Sequence, residues 1–182
     1  MALTKNVKLC LGCLCMGFFV NLTAFAFPFW NYFADNDSQT GSFRLRSIGL
    51  WQACLTQGEK RWCQGFTVIK GMLASRFFEC VCMLGYVLSM ASLFVSYFCQ
   101  SHRDGILTLS ILTICVTEIT AVCGVFCWTM GSGPFLQYNL SWCFGLAILG
   151  MIFPPVSVLF LISERYIQCT DDHIQTDNEA VS

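Results

Sequence analysis

Apolar residues fall in four long runs, and the polar residues gather almost entirely between and after them. The runs cover about 9–29, 77–99, 106–128 and 142–162. Each is close to the ~20 residues that a helix needs to cross a ~30 Å hydrocarbon core. Between the second and third lies only Gln100-Ser101-His102-Arg103-Asp104-Gly105, a polar turn that makes the two helices antiparallel neighbours. A short connection, 129–141, contains Gly131-Ser132-Gly133-Pro134 and joins the third run to the fourth. The connection between the first two, 30–76, is long and polar, and residues 164–182 form a polar, mildly acidic tail that reads as disordered. The pattern predicts one membrane domain of four helices, residues 1–163, with no internal repeat.

The long connection carries a fold of its own. Cys54 and Cys63 flank Thr56-Gln57-Gly58-Glu59-Lys60-Arg61, which reads as two strands joined by a turn at Gly58 and tied by a disulfide. Leu45, Ile48, Leu50 and Val68 are of the type that lines strands. Closing so short a loop stabilises the hairpin by ~2–3 kcal/mol, which matters because a lone hairpin is marginal in water. A disulfide also requires an oxidising compartment, and this places the loop outside the cell or in the secretory lumen.

Composition agrees with a bilayer as solvent. Charged residues are 12% and hydrophobic residues 55% of the 182 positions, against roughly 25% charged in a soluble domain. The net charge of −1 and the lack of a dense basic patch exclude a nucleic-acid partner. The first run follows Lys5 and Lys8, is too long for a signal peptide and has no Ala-x-Ala-like site, so it reads as a retained signal anchor. Those two lysines put both termini in the cytoplasm by the positive-inside rule, although Arg44, Arg46, Lys60, Arg61 and Lys70 all lie in the long loop. The same orientation exposes the sequons at Asn36 and Asn139 to glycosylation, while a third, at Asn21, falls inside the first helix. Of thirteen cysteines, most lie in apolar runs, where a reduced thiol acts as a small hydrophobe.

Few residues suggest chemistry. Glu118 sits mid-way along the third helix, where an ionised carboxylate is expensive, and Asn21 lies at similar depth in the first. The two are expected to face each other, either as a polar clamp or as part of an ion or proton relay. Arg76 and Glu79, one turn apart, suit a local ion pair. Gly85, Ser89, Ser92 and Ser96 recur along the second helix and allow close helix approach, and Pro154-Pro155 should bend the fourth helix. Cys10 and Cys169, at the cytoplasmic face, are candidates for palmitoylation. The two histidines, His102 and His173, have no cysteine cluster at zinc spacing around them, and no phosphate loop or hydrolase elbow is present. The sequence therefore predicts no enzyme, no metal and no cofactor.

The order and spacing of Pro28-Phe29-Trp30, Gly49-Leu50-Trp51, Cys54, Cys63 and Arg76 resemble the signature of the claudin superfamily. That group includes claudins, peripheral-myelin and epithelial membrane proteins, and channel gamma subunits. The resemblance implies a left-handed four-helix bundle capped by a small extracellular antiparallel sheet, with the tryptophans packed where sheet meets helices. It also implies a non-enzymatic plasma-membrane protein that partners the lipid bilayer and like or related four-span proteins, in cis and in trans. Cell–cell contact, junction organisation and paracellular permeability are the expected roles. The alternative is an auxiliary subunit that binds a channel or receptor in the same membrane. The ending Glu179-Ala180-Val181-Ser182 departs from the PDZ-binding tail of junction-forming claudins and speaks against a PDZ scaffold. Phe98-Cys99-Gln100 and Tyr138 with Ser141-Trp142 look more like the myelin, epithelial and gamma-subunit branches. A transporter built on Glu118 ranks last, because inverted repeats are lacking.

Overall fold

The computed structural model describes residues 4–37, 42–57, 60–65, 70–98, 103–131 and 140–181. Its elements run α1 (Lys5–Ala26), β1 (Asn31–Asp37), β2 (Ser42–Ile48), β3 (Gln52–Gln57), β4 (Lys60–Gly65), α2 (Lys70–Phe98), α3 (Arg103–Gly131), α4 (Trp142–Gly150) and α5 (Phe153–Val181). Four spans, with α4 and α5 together forming the last, are long and apolar enough to cross a membrane. Only 28% of each span's most apolar window is buried within the protein. Large apolar side chains such as Phe19, Leu84, Ile119, Phe126 and Leu159 point outward instead. A water-soluble bundle would not expose so much hydrocarbon on every helix, so the chain is a multi-pass membrane protein.

The buried positions explain how the spans pack. On α2 they are Met72, Ser75, Glu79, Cys82, Tyr86, Ser89, Leu93 and Ser96, and on α1 Val7, Cys10, Leu14, Gly17, Asn21 and Ala24. Both advance by alternating steps of three and four. The same steps run through Leu107, Ser110, Ile114, Thr117, Ala121, Gly124 and Trp128 of α3, and through Cys143, Ala147, Gly150, Pro154, Ser157, Leu161 and Glu164 of α4 and α5. A seam with a 3.5-residue period is that of helices packed nearly parallel, side chains fitting between those of the neighbour. The most extensive pairing joins α2 to α3. There a Cβ on Gly85 would overlap the Thr117 side chain, and hydroxyls meet at Ser92–Ser110 (2.7 Å) and Ser89–Thr113 (3.2 Å). These small polar residues bring two helices together where lipid supplies no hydrophobic drive between them.

Several boundaries differ from the sequence expectation. Helix α2 begins at Lys70 rather than near 77, and α3 extends to Gly131, because hydropathy marks the membrane-embedded part of a helix and not its polar ends. The tail expected to be disordered continues α5 as helix to Val181. The fourth span is interrupted at Met151 and Ile152, just ahead of Pro154-Pro155. Both prolines lie in the first turn of α5, where a missing N–H costs least. The Met151 and Ile152 amides close the end of α4 through three-residue hydrogen bonds to Ile148 and Leu149 (3.2 and 3.1 Å).

At the end of the bundle remote from both termini, the strands form one antiparallel sheet in the order β1-β2-β3-β4. The predicted hairpin is β3–β4, with Cys54 directly opposite Cys63 and joined to it by a disulfide. Gly58 and Val68 lie outside the described residues. Leu50, expected in a strand, instead occupies the turn between β2 and β3 together with Gly49 and Trp51. The Gly49 amide closes that turn on the Gln52 carbonyl at 2.9 Å.

Candidate functional site at the junction of sheet and bundle

The first three residues after α1 and Pro28 set the junction. Trp30 is fully buried, and its indole N–H donates to the Ala24 carbonyl at 2.6 Å. Its main-chain N–H donates to Ile48 of β2 (3.0 Å), and its carbonyl accepts the Ser141 amide ahead of α4 (2.9 Å). One residue thereby connects α1, the sheet and the fourth span. The Trp30 ring packs on Trp128 of α3, centroids 5.0 Å apart, and edge-on to Phe144 of α4 at 5.9 Å. Trp128 donates its own indole N–H to Asn31 Oδ1 at 2.7 Å. An indole has a large apolar body and one donor, and here each donor reaches an acceptor at the rim of the core.

Gly-Leu-Trp performs three separate tasks. A side chain on Gly49 would overlap the backbone of Pro28, so only glycine lets the turn approach the end of α1 this closely. Leu50 is 1% exposed and belongs to the same core as Trp30, Met72, Trp128 and Ala147. Trp51 stacks edge-on against Phe25 at 5.1 Å. Arg76 of α2 locks the turn from the other side. Its Nε donates to the Leu50 carbonyl, and its guanidinium lies over the Trp51 ring at 5.3 Å. Arg76 thus engages the sheet rather than serving simply as an i,i+3 partner for Glu79. The signature residues Trp30, Gly49, Leu50, Trp51 and Arg76 converge on one joint, and the Cys54–Cys63 disulfide fixes the strands above it.

A second polar cluster lies deeper. Asn21 of α1 donates from Nδ2 to the Tyr86 hydroxyl of α2 at 2.9 Å, and that hydroxyl donates to the Gly150 carbonyl at 3.2 Å. The reason is local to the fourth span: Pro154, four residues after Gly150, has no N–H, so the Gly150 carbonyl lacks its helical donor. Gly150 also needs to lack a side chain, since a Cβ there would sit 2.5 Å from the Asn21 amide. The expected Asn21–Glu118 pairing is therefore replaced by Asn21–Tyr86–Gly150. Glu118 is half-buried on α3, and its Oε2 has no hydrogen-bond partner among the described residues. Glu79 is 3% exposed and lies against Gly124, whose carbonyl accepts the Ser75 hydroxyl at 2.8 Å.

The remaining candidates separate cleanly. Cys10 is fully buried, and its carbonyl accepts Ser157 of α5 (3.4 Å). Cys169 lies on α5 with its side chain outside the described set; Asn36 lies on β1, likewise without a described side chain, and Asn139 is outside the described residues. No group of three or more His, Cys, Asp or Glu able to hold a metal occurs among the described residues. Sequence reasoning missed Trp128, Asn31, Tyr86 and Gly150. Of these only Gly150 left a trace, its position four residues ahead of a proline.

No protein-family model matches the chain, and no curated protein matches it either.

Proposed function

We propose that the chain is a claudin-type plasma-membrane protein without enzymatic activity, acting through contacts made by its sheet and its lipid-facing helices. The observation that carries this reading is the joint itself. Trp30, Gly49, Leu50, Trp51 and Arg76, separated by up to 46 positions in the sequence, meet in one packed unit beside a disulfide-tied hairpin. The residues that carry the resemblance are also those that mount the sheet on the bundle, which is the architecture the resemblance implies. The three–four spacing of buried positions on all four spans supports a left-handed bundle. The disulfide and the position of the sheet opposite both termini support an extracellular sheet with cytoplasmic ends. In this reading the sheet contacts neighbouring cells at junctions. If it lines a paracellular route, exposed Arg46, Lys60 and Arg61 favour anions through their field.

One observation favours the second reading, an auxiliary subunit for a channel or receptor. Between α2 and α3, a groove of about 340 Å³ lined by Val81, Leu84, Gly85, Leu88, Leu112 and Val116 opens outward. A neighbouring span could seat apolar side chains there, beside the α2–α3 contact at Gly85. Expression in cells without junctions separates the two. Enrichment where two expressing cells touch supports the adhesive role; uniform surface staining with co-purification of a channel supports the auxiliary one. A sheet inaccessible from the cell exterior overturns both.

A further inference from the structure

The sheet presents two different faces, and one of them has an unassigned set of side chains. In the register, Leu55 of β3 stands opposite Arg46 of β2 and Trp62 of β4, while Gln57 stands opposite Lys60. Side chains alternate along a strand, so Arg46, Leu55, Trp62, Gln57 and Lys60 share one face. Cys54, Cys63 and Arg61 share the other. Arg61 is turned toward the bundle, its guanidinium 4.9 Å from the Phe29 ring centroid. On the first face Arg46 and Lys60 are exposed, the Trp62 indole is 51% exposed, and Leu55 is half-buried between them. Neither Arg46 nor Lys60 has an ion-pair partner among the described residues. In the same register Arg44 stands opposite Gln57 and Asp35 opposite Arg44, so Arg44, Asp35 and Asp37 fall on this face too, where the basic positions outnumber the acidic ones.

We propose that this face binds a sulfated glycan chain. Strands lie about 4.8 Å apart and residues two apart on a strand about 7 Å apart. Arg46 therefore stands about 10 Å from Trp62 on one side, and Lys60 about 7 Å from it on the other. The result is a half-exposed indole with an exposed cation on the strand two away and another on its own strand. A pyranose ring offers C–H groups to the face of an indole, and sulfates spaced along the same polymer reach both cations. The indole favours a sugar ring over a purely ionic polymer such as an acidic peptide. This inference rests on the sheet being extracellular, where such polymers occur.

The test uses full-length protein in nanodiscs of phosphatidylcholine, with both membrane faces accessible, and heparin oligosaccharide as the probe. The expected result is binding that is lost with chemically desulfated heparin and is at least tenfold weaker for polyglutamate of matched charge. Arg46→Gln with Lys60→Gln should weaken binding about tenfold or more and lower the slope of log affinity against log salt by about two, as counterion release from a polyanion requires. Trp62→Ala should weaken heparin binding without changing that slope. Arg61→Gln, adjacent in sequence but on the opposite face, should change affinity less than about twofold. Absence of binding, equal binding to polyglutamate, or an Arg61→Gln effect matching that of Lys60→Gln would each overturn the proposal. Tryptic cleavage at Lys60 or Arg61 on intact cells separately tests which side the sheet faces. Heparin binding in nanodiscs without cleavage on cells would refute the extracellular reading and leave the surface chemistry standing.

Discussion

Replacing Tyr86 by phenylalanine removes one oxygen from the centre of the bundle and leaves the ring volume in place. That oxygen accepts from Asn21 and donates to the Gly150 carbonyl, so two interhelical hydrogen bonds are lost at once. Such bonds inside a membrane protein average ~0.6 kcal/mol and reach ~1.7 kcal/mol each. The pair should therefore cost about 1–3 kcal/mol. The upper part of that range applies, because Pro154 offers no N–H to the abandoned carbonyl and lipid supplies none. Reversible unfolding in bicelles, followed by tryptophan fluorescence, measures the loss. The reasoning makes a sharper claim in the Pro154→Ala background: alanine returns the helical donor to Gly150, so Tyr86→Phe should cost less than ~1 kcal/mol there. Ser96→Ala is the comparison, since the Ser96 hydroxyl bonds within its own helix, to Leu93 at 2.6 Å, and its loss should be nearly silent. An equal cost of Tyr86→Phe in both backgrounds, or a cost no larger than that of Ser96→Ala, would refute the account of the broken span.

Gly49→Ala should destabilise the sheet joint by about 1–3 kcal/mol through overpacking against Pro28, read as faster proteolysis of the strands while the spans stay protected. Arg76→Lys should behave almost like Arg76→Ala, because an ammonium cannot both donate from a planar fork and stack on Trp51; a shift in Trp51 emission with each variant checks this. Reducing the Cys54–Cys63 bridge should remove ~2–3 kcal/mol from the hairpin and accelerate tryptic cleavage at Lys60 and Arg61, whereas cleavage there without reductant should leave the two fragments linked.

The sequence made the spans and the Cys54–Cys63 hairpin legible because both rest on composition and local spacing: apolar length in the first case, two sulfurs across a polar turn in the second. It also singled out Trp30, Gly49, Leu50, Trp51 and Arg76, though not what holds them, since the Arg76–Leu50 bond and the Trp30–Trp128 contact join residues far apart in the chain. The Asn21–Glu118 expectation failed for an instructive reason. Depth in the membrane can be counted along a helix, but the partner is decided by which backbone group lacks a donor, and Pro154 sets that. Pro154-Pro155 predicts a bend, and the span breaks just ahead of it, while polarity hides the helical continuation of α5 to Val181. Hydropathy is blind to helices that leave the lipid.

Trp30, Asn31, the Leu50 carbonyl and Ser141 tie α1, α2, α3 and α4 to a single sheet, and all of these ties lie at one end, as a rivet through four rods. Away from that rivet α2 stays with α3 through Ser92–Ser110, and α1 with α5 through Cys10–Ser157, so any splaying falls between these two pairs rather than within them.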